Sequence, residues 1–120
     1  MFDHIGLRVH DLEAGARFYT AALAPLGCVP GSRGADYAGF GPPDAPGLWL
    51  HAAGVPARTG VHVCFRAASR EAVDRFHAAG LAAGGRDNGK PGPRPDYGPT
   101  YYAAFVRDPD GNNVEAVCLR

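Results

Sequence analysis

The sequence contains no apolar run that approaches the roughly 18 residues needed to cross a membrane. Its first residues, MFDHIGLRV, also lack the basic and apolar regions of a secretory signal peptide. Neither membrane insertion nor export is therefore expected. The predicted location is the cytoplasm.

An excess of charge is also missing. Twelve Lys and Arg residues balance twelve Asp and Glu residues, so the formal net charge is zero. This balance gives no general field that would favour nucleic acid or an anionic membrane surface. Neither is an expected partner, and partners must be inferred from individual sites.

Cysteine is scarce, with only Cys28, Cys64 and Cys118, far apart in the sequence. An odd number of widely spaced cysteines fits neither a disulfide framework nor a Cys-x-x-Cys metal site. Cys64 and Cys118 lie in apolar runs. Both are predicted to be small apolar residues of strands.

The length of 120 residues and the apolar fraction of 46% predict one globular domain that spans residues 1–120. Glycine and proline are abundant, at 17 and 11 residues, but they gather between periodic segments. Such punctuation is typical of short strands separated by turns.

The chain resembles itself at an offset of 58 residues. When residues 4–27 are placed over residues 62–85, ten of the 24 pairs are identical, including pairs of His, Arg, Phe and Gly. Self-similarity of this kind indicates a duplicated structural unit. It predicts two repeats, at about residues 1–56 and 57–120.

Each repeat begins with a strand-type run and continues into a helix that starts near Asp11 or Ser69, both good N-cap residues. Further strand-type runs follow each helix, and the last two are joined by the turn Asp108-Pro109-Asp110-Gly111. The sequence therefore predicts an α+β fold built from two βαβββ modules in tandem.

Glu115 lies in the middle of the last apolar run, NNVEAVCL. An ionised carboxylate in an apolar interior costs several kcal/mol unless it is paired, protonated or bound to a metal. One explanation is an ion pair with Arg8 or Arg66, which recur at equivalent positions of the two repeats.

A second explanation is a metal. His4 and His62 occupy equivalent positions in the first strands, and aligning Gly47 with Gly111 places His51 over Glu115. Two histidines and a carboxylate suit a divalent transition metal with open coordination positions. The predicted ligands are His4, His62 and Glu115, with His51 as a further candidate. Each histidine alone is more often a structural residue than a ligand.

A long segment, Arg86 to Tyr102, lacks apolar periodicity until its final tyrosines. It is predicted to be a loop, and loops of this length in compact domains are usually functional or disordered. Two cations of this segment could bind a carboxylate or phosphate on a substrate. Two of its tyrosines, together with a tryptophan of the first repeat, could line a cleft. These candidates for substrate binding are Lys90, Arg94, Trp49, Tyr97 and Tyr101.

Three stretches, HIGLRVHDLEAGARFY, HVCF and DPDGNNVEAV, resemble the vicinal oxygen chelate superfamily. That superfamily includes glyoxalase I, bleomycin- and fosfomycin-resistance proteins, methylmalonyl-CoA epimerase and extradiol dioxygenases. The resemblance covers essentially the whole chain and implies that its modules form a cupped, mostly antiparallel half-barrel. It also implies metal ligands at His4, His62 and Glu115, and a homodimer whose sites are shared between two chains.

The activity that this resemblance implies is that of a metal-dependent lyase or isomerase acting on a small oxygen-chelating substrate. Glu115 or His51 would move the proton, and Zn, Ni, Co, Mn and Fe all remain open as the metal. His51 departs from the glutamate of glyoxalase I. The alternatives are a non-catalytic antibiotic-binding resistance protein, a short dioxygenase and a catalytically silent dimerisation module.

Overall fold

The computed structural model of the chain describes residues 1–54 and 60–120. The predicted boundary between the repeats, at residues 56 and 57, lies outside the described residues. The helices are α1 (Leu12–Leu23) and α2 (Arg70–Ala82). The strands are β1 (Ile5–Val9), β2 (Val29–Arg33), β3 (Tyr37–Gly41), β4 (Leu48–Ala52), β5 (His62–Arg66), β6 (Arg86–Pro93), β7 (Tyr102–Arg107) and β8 (Asn113–Cys118).

Both helices begin where the sequence predicts. The carboxylate of Asp11 accepts a hydrogen bond of 3.0 Å from the Ala14 backbone N–H, and the Ser69 hydroxyl accepts one of 3.2 Å from the Ala72 N–H. Such caps satisfy backbone donors that the first helical turn leaves free. The caps are 58 residues apart, as are the first helical residues, so the offset of the repeat holds in three dimensions.

The strands form two four-stranded mixed sheets, with the orders β1-β4-β3-β2 and β5-β8-β7-β6. In each sheet the first and last strands of the module are parallel and the other pairings are antiparallel. This is the predicted pair of βαβββ modules. The sheets are not closed, which agrees with a cupped half-barrel.

The core lies between the helices and one face of each sheet. Phe18 of α1 reaches the second module, where it meets Val106 of β7 beside Gly85. A Cβ atom added to Gly85 would lie 2.6 Å from both side chains, so only glycine permits this approach. The close packing of α1 against β7 explains why the second copy of the repeated segment ends with a glycine, Gly85.

The predicted loop from Arg86 to Tyr102 is wrong in its first half, because Arg86–Pro93 forms the edge strand β6. Its register against β7 shifts twice, between Asp87 and Gly89 and between Gly89 and Gly92. Glycine and proline are tolerated at such bulged edges. Backbone pairing to β7, not apolar periodicity, therefore makes this segment a strand.

Neither described helix has the length and apolar character that a membrane-spanning segment needs.

Candidate metal centre

Glu115 lies on the open face of the second sheet, away from the helices. Its neighbours in β8, Val114 and Ala116, are fully buried on the helix side. Glu115 itself is only 3% exposed. Its neighbours on this face come from the adjacent strands β5 and β7 and from the turn before β7.

Both carboxylate oxygens of Glu115 have partners. The Tyr101 hydroxyl donates a hydrogen bond of 2.6 Å to Oε1, and Nε2 of His62 lies 3.0 Å from Oε2. The side chain of His62 is 49% exposed, so the imidazole stands at the rim of the cleft while the carboxylate lies below it. Tyr101 and His62 thus give both oxygens of this carboxylate a polar partner in an otherwise apolar strand.

The orientation of His62 suits metal binding. Its Nδ1 lies 3.2 Å from the carbonyl oxygen of Asn113, and since a carbonyl can only accept, Nδ1 carries the hydrogen. Nε2 then faces a carboxylate, a contact that is favourable with a proton on Nε2 or with a cation between the two groups. Histidines that ligate metals are typically oriented by this kind of bond from the other ring nitrogen. The donor set of His62 and Glu115 therefore fits a divalent metal.

Cys64 is the third group against Glu115, because the two residues are paired in the register of β5 and β8. Desolvation and then the charge of Glu115 raise the pKa of the Cys64 thiol to about 12. The bond to Glu115 is the main cause that raises the pKa of Tyr101 well above its ordinary value. Near neutral pH both side chains therefore keep their protons, and Cys64 is a poor nucleophile.

Alkylation tests this conclusion. In protein stripped of metal by a chelator, we expect iodoacetamide to modify Cys64 at least ten-fold more slowly than a free thiol at pH 8, because so little thiolate is present. Glu115→Gln should accelerate the reaction by removing the charge. Peptide mass spectrometry gives both rates. Reaction of wild-type Cys64 at the rate of a free thiol would contradict the raised pKa.

The first module gathers a separate group on its own open face. His4, His51, Asp3 and Trp49 line a cavity of about 410 Å³. Nδ1 of His4 lies 2.7 Å from the Asp3 carboxylate, and the His4 side chain is 60% exposed. As with His62, an oxygen acceptor holds Nδ1, so Nε2 of His4 is left for another partner.

The strand register corrects the equivalence between the repeats. Gly6 pairs with Trp49 in the first sheet, and Cys64, which is 58 residues after Gly6, pairs with Glu115 in the second. Trp49 is therefore the structural counterpart of Glu115, and aligning His51 with Glu115 is wrong by two residues. The glycines of the two turns misled that alignment, because they do not occupy equivalent positions.

His51 nevertheless stays in the same cavity, because its ring leans back along the strand over Gly6. A Cβ atom added to Gly6 would lie 3.5 Å from Cδ2 and 3.6 Å from Nε2 of His51. The absence of a side chain at position 6 thus gives the imidazole its space. His51 remains a candidate ligand by the position of its ring, although not by its register.

The chain brings the four predicted ligands together as two pairs. Among residues 1–54 and 60–120, no group of three His, Cys, Asp or Glu side chains is placed to hold a metal. One pair is His62 with Glu115, and the other is His4 with His51. A centre with all the predicted ligands thus needs a contribution from a second chain or a movement of the modules.

The predicted substrate-binding residues lie at different distances from this centre. Tyr101 contacts Glu115 directly, and Tyr97, which is 66% exposed, packs edge-on against Tyr101 with 5.4 Å between ring centroids. Lys90 is exposed, whereas Arg94 is half-buried.

Two residues of the candidate site, Cys64 and Phe105, were not predicted as site residues from the sequence. Both cysteines lie in strands as predicted, but Cys64 is exposed on the open face, whereas Cys118 is buried. Phe105 of β7 pairs with Glu115 and lies against His62, with ring centroids 6.4 Å apart. The strand register places both residues on the face of Glu115, and alternation within each single strand could not show this from the sequence.

Comparisons with known proteins agree with this architecture. The family model described as Glyoxalase/Bleomycin resistance protein/Dioxygenase superfamily matches residues 1–116. No curated protein matches the chain.

Among solved structures, a glyoxalase/bleomycin resistance protein from Albidiferax ferrireducens T118 is 37% identical, with a TM-score of 0.84 over 98% of this chain and 97% of that one. A glyoxalase-related enzyme from Fulvimarina pelagi is 24% identical, with a TM-score of 0.73 over 94% of this chain and 84% of that one. A family enzyme from Burkholderia phytofirmans PsJN is 19% identical, with a TM-score of 0.75 over 98% of each chain. The last two likenesses concern the fold alone.

Proposed function

Because this chain belongs to the glyoxalase/bleomycin resistance protein/dioxygenase superfamily, we propose that it is a metal-dependent lyase or isomerase of the glyoxalase type. Its substrate would be a small molecule with two adjacent oxygens. The observation that carries the proposal is the buried carboxylate of Glu115, whose Oε2 lies 3.0 Å from Nε2 of a histidine at the rim of a cleft.

The residues that would hold the metal are His62 and Glu115 of one chain and His4 of a second copy. When bound, a divalent metal would polarise the two substrate oxygens and so acidify the carbon beside them. Zn, Ni, Co, Mn and Fe remain candidates, because a mixed nitrogen and oxygen donor set suits each of them.

Glu115 is the base that the second module offers for that proton. The hydroxyl of Tyr101 fixes Oε1 through its bond of 2.6 Å, which leaves Oε2 on the side of His62. An oriented carboxylate in a site that excludes water is what general base catalysis requires. His51 is the alternative proton carrier, since its imidazole lines the cavity of the first module.

The separation of the ligand pairs supports a site shared between two chains. His4 and His51 lie on the open face of the first module, and His62 and Glu115 on that of the second. A homodimer that sets the first module of one chain against the second module of the other would unite them. Such a dimer would contain two equivalent metal sites.

Metal analysis of purified protein tests the proposal. We expect about one tightly bound divalent metal per chain in the wild type, and its loss in His62→Ala, Glu115→Gln and His4→Ala, because each change removes a ligand. Inductively coupled plasma mass spectrometry after dialysis against excess metal gives the stoichiometry.

His10→Ala is the matched control. His10 is an exposed histidine of the first module whose backbone N–H, rather than its ring, donates a hydrogen bond to the Asp110 carboxylate, so this variant should keep the metal. Wild-type protein that stays metal-free, yet binds a planar antibiotic, would instead favour the non-catalytic resistance protein. Metal retained in all three ligand variants would contradict the proposed ligands.

A further inference from the structure

Arg94 lies close to the proposed metal centre, on the far side of one aromatic ring. Its guanidinium carbon is 5.6 Å from the centroid of the Phe105 ring, and the same ring is stacked against His62 at 6.4 Å and 25°. The strand order β5-β8-β7-β6 places His62 and Arg94 on opposite sides of β7. Phe105 therefore stands between them on the open face.

Backbone carbonyls hold the Arg94 guanidinium in place. Nη2 donates to the carbonyl of Lys90 at 2.7 Å, and Nη1 donates to those of Gly92 at 3.0 Å and Pro93 at 3.2 Å. Three of the five N–H donors of an arginine are thus used. One donor on Nε and one on Nη2 are left, and guanidinium donors of this kind bind carboxylate and phosphate oxygens.

The charge of Arg94 is not neutralised by these bonds, because carbonyl oxygens carry no net charge. None of the ion pairs among the described residues includes Arg94. A guanidinium that is ordered, half-buried and unpaired is prepared for an anion, since little side-chain entropy remains to be lost on binding.

The open face of the second sheet carries a further cation. Arg66 is exposed there on β5, whereas Glu115 on β8 is buried and already bonded to Tyr101. A second cation on this face favours approach of anionic ligands.

We infer that Arg94 binds an oxyanion, a carboxylate or a phosphoryl group, carried by the substrate. Because Phe105 separates Arg94 from His62, this group is several bonds away from the oxygens that react. The spacer between them would lie along Phe105. This inference rests on the proposed function for the reacting end of the substrate, but anion binding by Arg94 can be measured without any metal.

NMR titration with acetate and with inorganic phosphate tests the inference. In metal-free protein, the Nε–H resonance of Arg94, identified by its loss in Arg94→Met, should shift and saturate with at least one of the two anions. The tighter anion shows whether the substrate group is carboxylate or phosphoryl. Arg94→Met should weaken binding at least ten-fold, or about 1.4 kcal/mol, as followed by the amide resonances of the cleft.

Two further variants keep the test decisive. Arg17→Met removes an exposed arginine from α1, outside the cleft, and should leave anion binding unchanged. Arg94→Lys keeps the positive charge and should therefore retain measurable phosphate binding. The binding should be weaker than in the wild type, because lysine cannot make the three carbonyl bonds that hold the guanidinium. If Arg94→Lys binds as weakly as Arg94→Met, or if Arg94→Met binds both anions as tightly as the wild type, the inference is overturned.

The metal-binding variants separate this inference from the proposed function. Glu115→Gln should bind the anions through Arg94 whether or not the wild type holds a metal. Arg94-dependent anion binding in a protein that never takes up metal would support the inference and reject the metal centre. Metal uptake without Arg94-dependent anion binding would support the metal centre and reject the inference about Arg94.

Discussion

Replacing Asp108 by alanine is expected to lower the free energy of unfolding by about 4 kcal/mol. Asp108 is 2% exposed and accepts four hydrogen bonds. Two come from side chains, the Tyr19 hydroxyl at 2.7 Å and Asn112 Nδ2 at 2.9 Å. Two come from the backbone N–H groups of Asp110 at 2.9 Å and Asn112 at 2.8 Å. Alanine would leave these donors in the interior without an acceptor.

Tyr19→Phe is the matched control, because it removes one donor and leaves the other three bonds to Asp108. Burial, followed by the charge of Asp108, raises the pKa of Tyr19 well above its ordinary value, so the hydroxyl remains a donor. We expect this variant to lose only about 1 to 2 kcal/mol. Urea unfolding followed by circular dichroism measures both variants. A smaller loss for Asp108→Ala than for Tyr19→Phe would show that the turn is not held by Asp108.

The consequence of this turn for the site is positional. It joins β7 to β8, and Glu115 follows Asn112 by three residues. Weakening the turn should therefore disturb the placement of Glu115 more than that of His4, which lies in the other module.

The double variant of Asp108 and Tyr19 should be less destabilised than the sum of the two single changes, because both act on one bond.

The second large effect is expected in mixed dimers. His4→Ala and Glu115→Gln homodimers should each lack metal, whereas a heterodimer of the two variants should bind one metal per dimer. In the heterodimer, one shared site receives both damaged residues and the other receives neither. Recovery from none to half of the wild-type metal content follows directly from a site shared between chains.

Differently tagged chains, coexpressed and purified through both tags, supply this heterodimer. Native mass spectrometry then counts the chains and the metal ions in one measurement. A heterodimer of His62→Ala with Glu115→Gln is the control, since both changes damage the second module and each site keeps one defect. If the first heterodimer stays metal-free while the wild type holds metal, the ligands do not come from two chains.

The repeat and its helices could be predicted because their signals are local. Asp11 and Ser69 cap helices at equivalent positions, and the apolar spacing that follows each cap requires no knowledge of distant contacts. The fold followed from duplication of this unit. Strand β6 was not predicted, because its residues Arg86–Pro93 carry no apolar alternation and form a strand only through pairing with β7.

The candidate site could be proposed from the sequence residue by residue, but its arrangement could not. Glu115 was a candidate because burying a lone carboxylate in an apolar strand costs free energy. His62 was a candidate because the repeat places a histidine, His4, at the equivalent position. The partnership of Glu115 with Tyr101 could not be predicted, because it joins a strand to a turn 14 residues earlier. The counterpart of Glu115 could not be assigned either, since only the strand register reveals that it is Trp49.

The space over Gly6 has a consequence for natural variation. Alanine at position 6 would merely touch the His51 ring, at 3.5 Å, but any larger side chain would push it away. Positions 6 and 51 should therefore change together as relatives diverge. Relatives with histidine at position 51 are expected to have glycine or alanine at position 6. Relatives with a bulkier residue at position 6 are expected to have a residue other than histidine at position 51.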